Sequence, residues 1–260
     1  MNTFRYSLLS LLLTITSVLG ASAAVQTIPA ADSAYHARNY VLAAELYEQM
    51  LAARPAADVY YNLGNARWRM QDTARAICAY HRALALSPSH SDARYNLEYC
   101  QAQLQDRFAT PSAMFFTVLL RRMVEGHSVS FWLTMGCLSF VVLLFGWALW
   151  RNAVRTLWMR VGLSVFLLGV LLTLAANALA FWRNVIDRAD DRAVVTQTIT
   201  LCREPSTASA SVCSLHAGTT VQTLHRGRNG WVQVSLPDGR NGWVTESGLL
   251  FVRISPLATE

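Results

Sequence analysis

Charged side chains are scarce in this sequence. They make up 15% of the 260 residues, whereas hydrophobic residues make up 53%, and an ordinary soluble domain has about 25% charged residues. This composition argues against a disordered chain and against a nucleic-acid-binding tail, because both depend on a high density of charge. Five cysteines in a chain of this length also argue against a disulfide-framed mini-protein. The composition instead predicts a protein with membrane-spanning segments.

Lysine is absent, and arginine supplies the whole formal net charge of +6. Two long regions are balanced: residues 24–107 contain eight arginines and eight acidic residues, and residues 187–260 contain seven of each. The surplus of positive charge lies next to the apolar stretches, and Glu125 is the acidic residue that offsets part of it. The arginines of this surplus are Arg5, Arg121, Arg122, Arg151, Arg155, Arg160 and Arg183. Basic residues in these places indicate membrane orientation rather than binding to nucleic acid.

The first apolar run predicts export of the region that follows it. Residues 1–24 contain one early arginine, an apolar run, and small residues at Ala21 and Ala23 in the A-x-A pattern of a cleavage site. This arrangement is typical of a secretory signal peptide, and an uncleaved anchor is the alternative. A signal peptide and an uncleaved anchor would both send the residues that follow across the membrane.

Two further apolar runs predict a hairpin of transmembrane helices. Residues 129–150 and 161–182 are each 22 residues long and contain no charge, which is enough to cross a hydrocarbon core of about 30 Å. Residues 151–160 between them contain three arginines and no acidic residue, which places this loop in the cytoplasm. The regions on both sides of the hairpin are therefore predicted to lie outside the cytoplasm.

Three segments join or end these parts. Residues 108–128 are apolar but too short to cross the membrane, so they are either a linker or an interfacial helix. Residues 183–192 form a charged linker, and residues 253–260 are a tail.

An internal repeat lies in residues 25–107, where DVYYNLG at 58–64 returns as DARYNLE at 92–98, 34 residues later. This period and these residues resemble tetratricopeptide (TPR) repeats, which implies an all-α array of helix pairs. The residues that match the structural positions of the repeat, where helices cross, pack or end, are Gly64, Ala76, Tyr80, Ala83 and Pro88.

The first helices of such pairs line a concave groove. We therefore expect a groove for a protein partner at Tyr61, Asn62, Asn65, Arg69, Tyr95 and Asn96. Asn65 and Asn96 resemble the asparagine pair of TPR domains that clamp a peptide carboxylate, but the cationic residues that complete the clamp are missing. The alternative is that these asparagines are structural and bond to neighbouring helices.

The C-terminal region changes to β-branched residues, glycine and turn dipeptides. The motif RNGWV occurs at 228–232 and again at 240–244. Residues 193–252 resemble a bacterial SH3-like domain, which implies a small closed all-β barrel whose Gly-Trp strands fill the core. The residues that carry this structural role are Gly230, Trp231, Gly239, Gly242 and Trp243. For Trp231 and Trp243 we expect packing in the core or at the rim, and stacking on a ligand is the alternative.

No motif for catalysis or metal binding stands out. The sequence has no C-x-x-C motif and no histidine pair at metal-binding spacing, and it has no recognisable nucleophile motif or phosphate loop. We expect a protein that is not an enzyme and has neither a metal nor a cofactor. Cys202 and Cys213 could form a disulfide in an oxidising compartment, unless strand alternation points them to opposite faces.

The order of signal, TPR repeats, two-helix transmembrane hairpin and SH3-like barrel resembles BatE-type members of the aerotolerance-operon (Bat) family over essentially the whole chain. The resemblance implies a multi-domain inner-membrane scaffold that acts in stress tolerance with von Willebrand A-domain Bat proteins and a MoxR-type ATPase. An envelope-anchoring module, whose SH3-like domain binds peptidoglycan, is the alternative function.

Overall fold

The computed structural model describes residues 29–108, 115–189, 191–227 and 229–253. The signal segment predicted at residues 1–24 and the tail beyond Arg253 lie outside the described residues. The described chain forms a helical region, two long apolar helices and a C-terminal antiparallel sheet.

The helical region consists of antiparallel helices, each packed on the next: α1 (Pro29–His36), α2 (Tyr40–Ala53), α3 (Ala57–Arg69), α4 (Thr73–Leu86) and α5 (Ser91–Ala102). The turns before α2 and α4 have the same construction. Arg38 and Gln71 have φ angles of 61° and 62°, and the following Asn39 and Asp72 accept a hydrogen bond from the first turn of the next helix. In both turns a residue with left-handed backbone conformation reverses the chain, and the polar residue that follows it caps the N-terminus of the next helix.

Small residues let these helices approach closely. Ala43, Ala76 and Ala83 are fully buried, and Tyr47 and Tyr80 are the largest fully buried side chains in the described part of the chain. Tyr47 donates a 2.6 Å hydrogen bond to Asp32, which satisfies its buried hydroxyl. Burial and this carboxylate together raise the pKa of Tyr47, so that it stays protonated.

Three helices follow: α6 (Phe115–Glu125), α7 (Val129–Asn152) and α8 (Thr156–Ala189). Helices α7 and α8 are long and apolar enough to cross a membrane, with mean hydropathies of 2.0 and 2.2 over 18-residue stretches within Val129–Asn152 and Thr156–Ile186. Large apolar side chains on their outer faces, including Phe145 and Leu171, are exposed on the protein. Lipid would remove these side chains from water.

Helices α7 and α8 pack against each other along their whole length. A Cβ atom at Gly146 would overlap the backbone of Phe166, so glycine is required for this close contact. Ser139 and Thr173 share a hydrogen bond of 3.1 Å between the helices. The amide of Asn177 donates to the carbonyl of Thr173 on its own helix, which satisfies the polar group inside the hairpin.

The C-terminal strands are β1 (Arg192–Val195), β2 (Ile199–Cys202), β3 (Ser211–Leu215), β4 (Thr220–Arg226), β5 (Trp231–Ser235), β6 (Asn241–Thr245) and β7 (Leu249–Phe251). They form one sheet in the order β3-β2-β6-β5-β4-β1-β7, with antiparallel pairing throughout. A 3-10 turn, Glu246–Gly248, joins β6 to β7. The sheet surrounds a core of valine and leucine that includes Leu201, Val232 and Val244. In the described residues the two edge strands, β3 and β7, do not pair with each other. The sheet is therefore a partly open barrel rather than a closed one.

The structure corrects several segment boundaries. The loop predicted at 151–160 is only three residues long, 153–155, because both helices continue into it. The linker predicted at 183–192 is helical as far as Ala189, since α8 extends past its apolar part without a helix breaker. Of the two alternatives for 108–128, a helix is present over Phe115–Glu125.

The disulfide considered for Cys202 and Cys213 is not formed, and both thiols are free. Cys213 lies opposite Leu201 in the ladder, and Cys202 lies opposite Ser211 after a register shift. Because neighbouring residues on a strand point to opposite faces, the two sulfur atoms lie on different sides of the sheet.

Candidate functional site

The expected groove residues lie on two of the first helices: four are on α3 and two are on α5. Arg69 of α3 is exposed, and a hydrogen bond with Tyr35 of α1 raises the pKa of its guanidinium. Asn65 of α3 accepts a 2.8 Å hydrogen bond from the side-chain amide of Asn96 on α5. The structure therefore brings α3 into contact with the first helix on either side.

Asn65 and Asn96 have internal partners. The oxygen of Asn65 also accepts a 2.8 Å hydrogen bond from the hydroxyl of Tyr80, and the Tyr80 side chain is buried. One carbonyl oxygen thus joins α3, α4 and α5. This geometry supports the structural alternative for the two asparagines rather than a peptide clamp.

The structural positions of the predicted repeat lie between the helices. A Cβ atom at Gly64 would be 2.5 Å from Cε1 of Tyr80, so the ring of Tyr80 occupies the space of a side chain there. Ala76 and Ala83 are fully buried. Pro88 is also buried, and its carbonyl accepts a hydrogen bond from Arg94.

The part of the groove that remains open is aromatic. Tyr95 is 69% exposed and Tyr99 is 53% exposed on α5, and the ring of Tyr99 meets that of Trp68 edge to face at 6.0 Å. The ring of Tyr61 lies 4.9 Å from His90 and is partly covered. The sequence analysis did not include Trp68 and Tyr99 in the groove. Their spacing could have indicated them, because Trp68 lies two helical turns after Tyr61 and Tyr99 lies one turn after Tyr95, on the same helix faces. Aromatic side chains at this density favour contact with a partner protein.

Asn62 of α3 is half-buried. Its neighbour Asp58 is 3.4 Å from the imidazole of His90. These polar groups border the aromatic surface.

A second feature, which the sequence did not indicate, is a docking interface between the helical region and the sheet. Its polar centre is Asp106. This carboxylate accepts hydrogen bonds from the backbone N–H of His216 at 2.8 Å, from the hydroxyl of Thr219 at 2.6 Å, and meets Nδ1 of His216 at 2.6 Å. Burial by itself would raise the pKa of Asp106, but these hydrogen bonds outweigh it and lower the pKa.

Helix α4 supplies the rest of the docking interface. The guanidinium of Arg82 donates to the carbonyls of Phe251 at 2.8 Å and Val252 at 3.2 Å. Val194 and Val252 of the sheet region are buried in the same apolar cluster as the helical core. The two regions therefore share a hydrophobic core as well as hydrogen bonds.

His81 is buried in the same interface between Arg192 and Thr220. Burial and the charge of Arg192 lower the pKa of His81, so its ring is neutral. Because Arg192 can only donate, Nδ1 of His81 accepts at 3.1 Å and its Nε2–H donates to Thr220 at 3.3 Å.

The two tryptophans of the sheet region lie outside its core. Trp231 and Trp243 are half-buried, whereas Val232 and Val244 beside them are fully buried. The Gly-Trp strands β5 and β6 contribute Val232 and Val244 to the core, because strand alternation sends valine inward and leaves the tryptophans at the rim. A Cβ atom at Gly242 would collide with Leu201, and Gly230 and Gly239 have φ angles of 73° and 87° in turns.

Among the described residues, no group of three or more His, Cys, Asp or Glu side chains is placed to hold a metal ion.

Comparison with known families identifies one part of the chain. No curated protein matches the sequence. Residues 203–250 match the family described as Bacterial SH3 domain, and this range covers β3 to β6 and reaches into β7. Strands β1 and β2 precede the matched range but belong to the same sheet. The C-terminal region therefore carries a bacterial SH3 domain, as its Gly-Trp motifs predicted.

Proposed function

We propose that the chain is an inner-membrane scaffold that presents a helical groove and a bacterial SH3 domain together in the periplasm. The bacterial SH3 domain supports binding to a protein or to peptidoglycan. The helical region adds an exposed aromatic surface at Tyr95 and Tyr99. The proposal requires no catalytic residue, metal or cofactor.

The docking interface is the observation that carries this proposal. The helical region precedes α7 and the sheet follows α8, yet Asp106 and His216 are in direct contact. Contact between them requires both regions to lie on the same side of a membrane that α7 and α8 cross. The arginines in and beside the short loop, Arg151, Arg155 and Arg160, support a cytoplasmic position for that loop and a periplasmic position for the docked regions.

We further propose that the groove is a TPR surface that binds a membrane protein of a Bat-type stress-tolerance complex, such as a von Willebrand A-domain protein working with a MoxR-type ATPase. Support comes from the 34-residue repeat and from the repeated turns at Arg38 and Gln71. The free aromatic face of α5 is the contact surface that we assign to the partner.

Site-specific crosslinking in cells tests the scaffold. A photo-reactive residue at Tyr95 or Tyr99 should crosslink to one or a few membrane proteins that mass spectrometry identifies. The matched control is the same residue at Glu45, which is exposed on α2 outside the first-helix surface. Equal crosslinking from the control, or crosslinking only to abundant lipoproteins, would contradict a specific groove.

Binding to peptidoglycan is the second candidate, because the SH3 domain holds Trp231 and Trp243 half-exposed rather than in its core. Full-length protein in detergent should then be retained on purified cell wall. Trp231→Ala should weaken retention about tenfold, the loss of one anchoring aromatic side chain. Trp158→Ala in the membrane hairpin is the control. Retention that both variants keep would count against this function.

A further inference from the structure

A crevice of about 530 Å³ lies at the loop end of the two apolar helices, where α7 ends and α8 begins. We name it the hairpin-end crevice. Its volume is in the range of ligand sites in proteins, about 300–1,000 Å³. The last turns of α7, the three-residue loop and the first turn of α8 supply its lining, which includes Phe145, Leu149, Asn152, Val154, Arg155 and Trp158.

The hairpin-end crevice is apolar along one wall and polar at its loop end. Phe145, which is 61% exposed, and Leu149 form the apolar wall on α7. Asn152 and Arg155 lie at the loop end. At 1.5 Å per residue, the helix from Phe145 to Asn152 covers about 10 Å. The crevice therefore combines an apolar wall about 10 Å long with a cation at one end, which matches an acyl chain that ends in an anionic headgroup.

The loop end carries positive charge that no nearby acidic residue balances. Arg155 is exposed in the loop, and Arg151 and Arg160 on either side of it are also exposed. The sequence contains no aspartate or glutamate between Gly126 and Ile186, so α7 and α8 separate the loop from the next acidic residues along the chain by about 36 Å or more. Within the described part of the chain, the guanidinium groups of these three arginines make no ion pair. The loop end of the crevice therefore favours an anion.

Tryptophans mark the depth of this end of the hairpin. The ring of Trp150 stacks on that of Phe166, with centroids 6.2 Å apart, just before the loop. Trp158 lines the crevice just after the loop and is 54% exposed. Tryptophan side chains concentrate at the headgroup level of a bilayer. In a membrane that α7 and α8 cross, Arg155 therefore lies among the headgroups and Phe145 lies in the hydrocarbon region.

We propose that the hairpin-end crevice binds an anionic phospholipid of the cytoplasmic leaflet. Its phosphate lies at Arg155, because planar guanidinium groups favour phosphate oxygens, and the upper part of one acyl chain lies along Phe145 and Leu149. The bound lipid fixes the depth of the loop in the membrane. The inference rests on the membrane span and the cytoplasmic loop proposed above, and it is independent of which protein the groove binds.

Lipid titration of the full-length protein in an uncharged detergent tests the proposal. Tm is measured with added phosphatidylglycerol, with phosphatidylcholine of the same acyl chains, and with inorganic phosphate. We expect phosphatidylglycerol alone to raise Tm in a saturable manner. An equal rise with phosphatidylcholine would show that the crevice does not select charge. An equal rise with inorganic phosphate would assign the site to a soluble anion, and either result overturns the proposal.

A pair of arginine variants locates the headgroup. Arg155→Gln should weaken phosphatidylglycerol binding about fivefold, which is the contribution of one arginine near an anionic lipid surface. The matched control is Arg160→Gln, because Arg160 is about 200° around α8 from Trp158 and lies on the opposite side of the helix. A helix is about 10 Å across and charges are screened within about 8 Å at physiological salt, so the control should bind like the parent. Unchanged binding in Arg155→Gln, or equal losses in both variants, would overturn the assignment to the crevice.

A gain of affinity excludes misfolding as the explanation. Val154 lines the crevice and is 99% exposed, so Val154→Arg adds a cation without disturbing a packed side chain. This variant should bind phosphatidylglycerol about fivefold more tightly, and parental affinity would contradict the electrostatic basis of the site. Carbonate extraction tests the span separately. A protein that stays in the membrane but does not bind phosphatidylglycerol refutes the crevice alone, whereas one that carbonate removes refutes the span on which the scaffold also depends.

Discussion

Replacing Asp106 with Ala should separate the helical region from the SH3 region without unfolding either. Asp106 has a side chain that is 11% exposed, and its two oxygens meet three groups of His216 and Thr219 at 2.6–2.8 Å. The variant leaves the backbone N–H of His216 without an acceptor. A buried donor that loses its partner costs about 1–3 kcal/mol, so the undocked population should rise about 5- to 150-fold.

Hydrogen–deuterium exchange of the full-length protein measures this separation. Peptides that cover residues 216–220 and 249–252 should exchange about 5- to 150-fold faster in Asp106→Ala than in the parent. Peptides of α2 should keep the parental rate. Asp106→Asn retains one acceptor oxygen and should give an intermediate rate. The control, Asp58→Ala, removes a carboxylate that is 90% exposed and should change nothing. Parental exchange in Asp106→Ala, or faster exchange in every helix, would refute a role confined to docking.

The same interface predicts a response to acid. The hydrogen bonds to Asp106 lower its pKa, so the unfolded or undocked carboxylate binds a proton more readily than the docked one. The contribution of Asp106 to docking is then complete above its ordinary pKa, near 4, and is lost as the pH falls through the lowered value. The difference in exchange between the parent and Asp106→Ala should therefore disappear in strong acid.

Three other predictions concern the helices and the topology. Gly64→Leu forces a side chain into the ring of Tyr80 and should cost about 1–3 kcal/mol, which lowers the Tm measured by circular dichroism; a parental Tm would contradict the close helix contact. Replacing Asn65 and Asn96 together with Ala removes the hydrogen bonds that join three helices and should also lower Tm, whereas a parental Tm with weakened partner capture would restore the peptide-binding role. A reporter active only in the periplasm should be on after Glu260 and off at Val154, which is 99% exposed between α7 and α8; the opposite pattern would reverse the topology.

Patterns carried by neighbouring residues were readable from the sequence. Runs of 22 uncharged residues indicated α7 and α8, because the length of an apolar helix is set by its own residues. The change to short β-branched segments with Gly-Trp motifs indicated the SH3 domain, and the match to residues 203–250 confirms it. The C-terminal end of α8 was less readable, since no glycine or proline lies between its apolar part and Ala189.

The roles of individual groove residues were only partly readable. The positions of Asn65 and Asn96 suggested a pair that faces a ligand, but their hydrogen bonds to each other and to Tyr80 give them a structural place. Sequence spacing locates a residue on a helix face, and it does not say whether a neighbouring helix supplies a partner for that side chain.

Local patterns in the sequence predict which segments are helical, apolar or extended, because these properties depend on residues within a few positions of one another. The docking interface, in contrast, forms only when the helical region and the sheet pack against each other. Asp106 and His216 are 110 residues apart, and Arg82 is 169 residues from Phe251. Such contacts depend on how finished helices and strands pack on one another, and a carboxylate that will meet an imidazole looks the same in the sequence as one that remains in water.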